Sequence, residues 1–440
     1  MESKKKTVST TGSRRGRPKK PEREPGQLEW DFDKILTTMN QNEEAAATLM
    51  AMLASRSQGG DQWRGLMAVP PASFIEAVIS EFRQKTNLPL ELPFFVTFAY
   101  VSGYLLRRGT HLMTEAGRVD PDIWLVLLAS SGAGKTFVQK QVRDALGDVV
   151  AESEFPGTGI VSSARFVEKL SEHPRGVWVR DEFAQYLKAI SADAGPLADM
   201  KDYLLRLYDN DSLERSSLKG TVKAENPALS ILGLTVHETF SQHVTAEMML
   251  DGFAQRFAYI IAQADPARHF TDYPIWKIDT SVWQRRWQEI EENIRDVYYA
   301  PEETAGEAFR ASFKALYNEG LPESFYRRIL WRAHKYALIY HVLTGDPSEE
   351  LTAVDYGWAA RALSLHIDDA AKLIGDHGLG DLERLIQAGE RVARRVMVEE
   401  KRAVKPRDLI RGISNIRNVA QAESLLRVMT MMRPSEEGAS

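Results

Sequence analysis

The stretch Asp122-Ile-Trp-Leu-Val-Leu-Leu-Ala129-Ser130-Ser131-Gly132-Ala133-Gly134-Lys135-Thr136-Phe137 decides how this 440-residue sequence is read. Ile123 to Ala129 is an unbroken apolar run, the length and composition of a strand buried on both faces. Small residues follow, and then a Lys-Thr pair that opens a helix. That order builds an anion site. Gly132 and Gly134 let backbone N–H groups converge on phosphate oxygens, and the helix N-terminus adds partial positive charge. Lys135 is placed to reach the β and γ phosphates, and the Thr136 hydroxyl to bind Mg²⁺. Ser130, Ser131, Gly132, Ala133, Gly134, Lys135, Thr136 and Phe137 are therefore the candidate nucleotide-binding residues, with ATP and Mg²⁺ as the expected ligands. The segment departs from G-x-x-x-x-G-K-[ST] only at its first position, where Ala129 replaces Gly. The competing reading is a degenerate loop that binds nothing.

About 45 residues downstream, Gly176-Val-Trp-Val-Arg180-Asp181-Glu182-Phe183 is a second apolar run, ending in two carboxylates. Asp181 is expected to hold Mg²⁺ through water, and Glu182 to orient and deprotonate an attacking water. On its own such a pair is more often a solvated turn or a helix cap. A third run, Leu229 to Leu234, ends at Thr235, the candidate sensor of the γ phosphate; His237 nearby reads as capping or structural. Asp251-Gly-Phe-Ala-Gln-Arg256-Phe257 places one arginine at the mouth of a fourth strand. Arg256 would reach phosphate held by a neighbouring subunit, with an intrasubunit salt bridge as the alternative. Lys135, Glu182, Arg256 and Thr235 form the candidate catalytic set; Thr136 and Asp181 are the metal candidates.

Composition bounds the rest. Hydrophobic residues make up 43% and charged residues 27%, which describes a folded globular chain of two to four domains. With no cysteine, disulfides, zinc-thiolate sites, iron–sulfur clusters and thiol nucleophiles are excluded. The apolar stretches Phe94 to Leu106 and Ile123 to Ala129 are too short to span a bilayer, and the basic N-terminus lacks a following apolar segment. A soluble, cytoplasmic protein without membrane contact is expected. The first 24 residues hold nine Lys/Arg and three Glu, a net +6, so the remainder carries −11 of the overall −5.

Periodicity divides the chain into five parts. Residues 1–26, polar and basic, cannot bury enough surface to fold alone. Residues 27–112 show helical spacing, with Pro70 and Pro71 placed to start the helix of Phe74, Ile75, Val78, Ile79 and Phe82. Residues 113–272 alternate β-rich runs with amphipathic stretches, as in a mostly parallel sheet covered by helices. Residues 273–376 return to helix, with a loop from Thr344 to Glu350. After a Gly-rich break at His377-Gly-Leu-Gly380, residues 377–440 form short helical patterns whose spacing permits a small helix-turn-helix. No solenoid repeat is found.

Taken together in order, Leu92-Pro93, Pro121-Asp-Ile-Trp, the phosphate loop, Asp181-Glu182-Phe183, Leu204-Leu-Arg-Leu-Tyr-Asp209, Pro227-Ala-Leu-Ser-Ile-Leu-Gly233 and Asp251 to Phe257 resemble the prophage- and plasmid-borne P-loop proteins of primase–helicase type. The resemblance covers roughly residues 65 to 375. It implies an α/β P-loop NTPase core, RecA-like or AAA+-like, with flanking helical regions, working as a ring, hexameric in expectation, on DNA during replication of a mobile element, with other replication proteins as further partners. It does not imply priming, because only a short basic tail precedes the helical region.

Arg14-Arg15-Gly16-Arg17-Pro18-Lys19-Lys20-Pro21 resembles an AT-hook. Gly16 lets extended backbone lie in a narrow minor groove, Arg15 and Arg17 enter its negative potential, and Pro18 keeps the chain extended. Lys219 and Lys223, in a hairpin-like segment, are candidates for tracking a single strand; an outward-facing hairpin fits equally well. Basic residues between Arg394 and Arg417 suit either a second duplex contact or a solvated face. The expectation is an ATP-dependent DNA motor, a replicative helicase binding single-stranded or A·T-rich duplex DNA. Its rivals are an ATP-dependent loader that does not unwind and a non-catalytic architectural protein binding A·T-rich DNA.

Overall fold

The computed structural model describes residues 63–429, apart from 158–159, 192–193, 218–219, 245–251, 264–276, 295–297, 318–320, 322, 414–415, 417–418, 420–421, 424 and 427–428. Arg15, Gly16, Arg17, Pro18 and Lys219 lie outside the described residues. A 3₁₀ turn (Arg64–Ala68) leads into α1 (Phe74–Lys85) and α2 (Glu91–Arg108). The start of α1 is set by Ser73, whose hydroxyl accepts from Glu76 N–H at 3.1 Å, and not by the prolines, which lie in the turn before it. From Glu91 to Leu106 every residue of α2 is buried, so this helix is apolar on all sides because it is enclosed on all sides.

The hairpin β1 (His111–Thr114) and β2 (Gly117–Val119) precedes β3 (Trp124–Ala129), which runs into α3 (Lys135–Leu146) and the short α4 (Asp148–Ala151). Next come α5 (Ser163–Glu172), β4 (Arg175–Arg180), α6 (Phe183–Ile190) and α7 (Met200–Tyr208). A second hairpin, β5 (Leu213–Ser217) and β6 (Gly220–Ala224), is followed by β7 (Ala228–Val236), α8 (His237–His243) and β8 (Ala258–Ile261). Beyond these lie α9 (Ser281–Asn293), β9 (Tyr298–Pro301), α10 (Glu303–Ala315), α11 (Glu323–Thr344), β10 (Glu350–Leu351), α12 (Ala353–Glu400) and α13 (Pro406–Gly412).

The central sheet has the order β4-β7-β3-β8, and all three pairings are parallel. Parallel strands need helical crossovers and cover on both faces, which is why these four read as continuous apolar runs. Side chains alternate along β7. Ser230 meets Ser102 of α2, while Gly233, three residues on and so on the other face, lies against Phe183 of α6. The helix α2 covers the first face so closely that a Cβ on Gly103 would stand 2.5 Å from that of Val177. With α6, α7 and α8 against the second face, the core is a three-layer α/β/α arrangement. Such a fold is compatible with nucleotide-binding cores of Rossmann or P-loop type.

A second sheet, β10-β9-β1-β2, joins the hairpin before the core to strands after it, through parallel pairs β1–β9 and β9–β10. The helical regions before and after the core are thus stitched together and closed over it. Arg64 reinforces the closure: its guanidinium donates to both oxygens of Asp369 at 2.6 and 2.5 Å, and Asp369 also accepts from Ile261 N–H of β8 at 2.9 Å. Where the Gly-rich segment His377 to Gly380 predicts a break, α12 runs on without interruption to Glu400. Glycine in a helix interior costs only about 1 kcal/mol, which a 48-residue helix absorbs. Its far end carries a separate apolar cluster of Val392, Val396, Leu409, Ile413, Ala422 and Leu425. Among the described residues, no helix is long and apolar enough to cross a membrane.

Candidate functional site

The loop from Ser130 to Gly134 leaves the C-terminal end of β3 and enters α3. Ala133 N–H donates to Ser130 O at 3.2 Å, closing the turn, and Gly132 and Gly134 both take left-handed φ values, +77° and +74°. Glycine adopts these without penalty. At Gly134 an added Cβ would also stand 2.7 Å from Leu88 Cδ2, so that side chain would have to shift. Gly134 caps α3 without any side-chain hydrogen bond, and the first-turn N–H groups of a helix have no intrahelical carbonyl to donate to. Ser130, Ser131, Gly132 and Thr136 are exposed and Ala133, Lys135 and Phe137 half-buried. Lys135 Nζ lies back on the loop, 3.4 Å from Ser130 O.

Two strands away, Asp181 and Glu182 follow the end of β4, and both are exposed. Glu182 is the N-cap of α6 in the left-handed conformation, φ 52° and ψ 40°. For a residue with a Cβ this stores roughly 1–2 kcal/mol, a cost that gathers at functional sites. The local hydrogen bonds fix the turn: Glu182 N–H donates to Asp181 Oδ1 at 2.9 Å, and Gln185 Nε2 donates to Glu182 Oε2 at 3.2 Å.

Between these strands runs β7. Its Thr235 lies beside Leu128 of β3, one register step before that strand ends. The Thr235 side chain is 1% exposed and its Oγ1 has no hydrogen-bond partner. A buried, unpaired hydroxyl is rare because it costs about 1–3 kcal/mol, and this one sits on the strand between the loop and the carboxylate pair. His237 opens α8 just beyond it. The parallel sheet therefore brings Lys135, Thr136, Asp181, Glu182 and Thr235 to one edge.

Arg256 is not among them. It ends a 3₁₀ turn two residues before Ala258, which pairs with Leu125 at the opposite end of β3. At ~3.3 Å per residue it lies roughly 20 Å from the loop along the strand direction. Its Nη1 donates to Gly252 O at 2.7 Å, its Nη2 stands 3.7 Å from Asp209 Oδ2, and its guanidinium lies 5.1 Å from the Tyr208 ring centroid. Lys223, on the exposed hairpin strand β6, is paired with Glu225 at 2.7 Å.

Three arginines escaped the sequence reading. Arg180, the last residue of β4, stacks 4.0 Å from the Tyr186 ring centroid, and burial holds its pKa below the usual guanidinium value. Arg328 and Arg332 lie on α11 beside Arg256. Arg332 is 2% exposed and donates to the Arg256 carbonyl. The available signal was the pair Arg328 and Arg332 at i, i+4 spacing in a helical run that also carries Arg327 and Lys335. Among the described residues, no group of three or more His, Cys, Asp and Glu side chains forms a metal cage. No protein-family model and no curated protein matches the sequence.

Proposed function

We propose that the chain is a Mg²⁺-dependent P-loop ATPase that works on DNA as an oligomeric motor of the replicative-helicase type. One observation carries the reading: the glycine-shaped loop, the Asp181-Glu182 pair and the unpartnered Thr235 hydroxyl converge on the same edge of a parallel sheet. Ligands bind at that edge in open α/β folds. The first-turn N–H groups of α3 and Lys135 bind the phosphate chain, and Thr235 offers its free hydroxyl to the terminal phosphate. Thr136 and Asp181 supply the hard oxygen ligands that suit Mg²⁺, which is held by one or two protein oxygens plus substrate phosphates and needs no all-protein cage. An ion bound there would neutralise charge on the phosphate oxygens. Glu182, fixed by its turn, accepts the proton of the attacking water.

Arg256, remote from the loop of its own chain, serves the nucleotide of a neighbour, so ring assembly is part of the reading. The AT-hook-like tail at Arg15, Gly16, Arg17 and Pro18 supports DNA as the track. Steady-state ATP hydrolysis by wild type and Glu182→Gln, without DNA, with single strands and with A·T-rich duplex, tests it alongside forked-duplex unwinding. Single-strand stimulation with unwinding, both lost in Glu182→Gln, is the expected result. Duplex-stimulated turnover without unwinding would make the protein a loader, and absence of turnover would make it a binding factor.

A further inference from the structure

A cavity of about 530 Å³ opens at the sheet edge opposite the loop, between the ends of α7, β2 and α11. Five cations line it: Arg118, Arg256, Arg327, Arg328 and Lys335. Several are balanced where they stand. Lys335 is neutralised by Asp122 at 2.7 Å, Arg118 by Asp120 at 2.8 Å and Arg327 by Glu323 at 2.5 Å. The centre of the group is only partly balanced. Arg328 donates to the neutral Gln255 amide oxygen at 2.6 Å, and among the described residues neither it nor the buried Arg332 has a carboxylate within ion-pair distance. Arg256 reaches Asp209 only at 3.7 Å, and its Nε, like Nη1 of Arg332, has no hydrogen-bond partner. Burial, with Arg256 and Arg332 nearby, holds Arg328 below the usual guanidinium range.

Guanidinium groups gathered together with buried N–H donors unused, as at Arg256 Nε and Arg332 Nη1, are incomplete without an anion. We propose that this cleft binds a polyphosphate chain, the triphosphate of a nucleotide, through Arg256 and Arg328 in its wall, with the buried Arg332 adding its charge from behind them. A compact cluster of three guanidiniums suits a compact, highly charged anion better than an extended phosphodiester strand, which calls for a stripe of cations. The volume fits a nucleotide, and the exposed ring of Trp331 in the cavity wall offers a surface for its base. Because the cleft lies at the far edge, its occupancy by free polyphosphate does not depend on the loop reading, whereas delivery by a second copy rests on it. The nucleotide comes either free from solution or held on the loop of a second copy.

The test uses the full chain carrying Lys135→Ala, which removes the loop lysine, titrated calorimetrically with inorganic tripolyphosphate at a concentration where mass photometry shows monomers. Saturable binding, weakened at least tenfold by adding Arg328→Gln and partly retained with Arg328→Lys, assigns the cleft to free polyphosphate. For a nucleotide delivered by a second copy, the monomer binds nothing, but mixing Arg328→Gln chains with Lys135→Ala chains restores ATP turnover that neither shows alone. Circular-dichroism melting of each variant confirms that it folds. The proposal is overturned if both arms fail, if Arg328→Gln leaves the affinity unchanged, or if an oligodeoxynucleotide without terminal phosphates displaces tripolyphosphate with the same Arg328 dependence.

Discussion

Replacing Thr235 by valine should make the nucleotide-free protein more stable and, on the proposed function, slow its ATP hydrolysis. The two side chains have nearly the same shape, so the change swaps one buried, unpaired hydroxyl for a methyl in a site 1% exposed to solvent. An unsatisfied buried polar group costs about 1–3 kcal/mol, and an apolar group of the same shape recovers most of it. At ~2 °C per kcal/mol, the lower end expected for large domains, the melting temperature should rise by about 2–6 °C. If the hydroxyl is held unpaired for the terminal phosphate, its loss removes a hydrogen bond to a charged group worth roughly 1.5–3 kcal/mol, or about 10- to 100-fold in turnover. Thermal unfolding without nucleotide and steady-state ATP hydrolysis read the two effects separately. A Thr235→Val protein that melts below wild type, or hydrolyses ATP at the wild-type rate, would refute the reasoning.

Glu182→Gly should behave similarly for a different reason, gaining about 1 kcal/mol of stability by relieving the left-handed backbone while abolishing hydrolysis; loss of stability in denaturant titration would count against strain at that turn. Lys335→Met strands the buried Asp122 carboxylate, whose pKa burial already raises, and should cost about 3–5 kcal/mol, largely recovered by adding Asp122→Asn. Burial pushes the pKa of His334 down to about 4, below its unfolded value of ~6.5, so its contribution to stability is present above pH 6.5 and is lost as pH falls. The stability difference between wild type and His334→Gln should therefore shrink by about 1.4 kcal/mol per pH unit between ~6.5 and 4, as read by denaturant unfolding across that range.

The four central strands were legible because each is buried on both faces and so reads as an apolar run; the loop and the Asp181-Glu182 pair were legible because they punctuate two of those runs. The second sheet was not. Its strands are two to four residues long, too short for a period to show, and β1 finds its parallel partner β9 across almost two hundred intervening residues. The grouping of Lys135, Thr136, Asp181, Glu182 and Thr235 needed the strand order, which places β7 between β3 and β4 and which local spacing does not reveal. The continuity of α12 through Gly378 and Gly380 was missed because glycine was read as a stop, whereas the helical residues on either side outweigh two such penalties. The arginine cluster stayed hidden because Arg256 and Arg328 are 72 positions apart and meet only when α11 crosses the start of β8.

The pairing of β1 with β9 also sets a timetable for the chain as it is made. Synthesis at ~5–20 residues per second separates His111 from Tyr298 by roughly 10–40 s, and Arg64 waits still longer for Asp369. During that interval the hairpin has an open edge, and the face of α2 that α11 will cover is bare. The four-stranded core can assemble once β8 has emerged, but its closure is a late, posted event. A ribosome-bound chain halted before Tyr298 should accordingly recruit chaperones that one halted after Asp369 no longer needs.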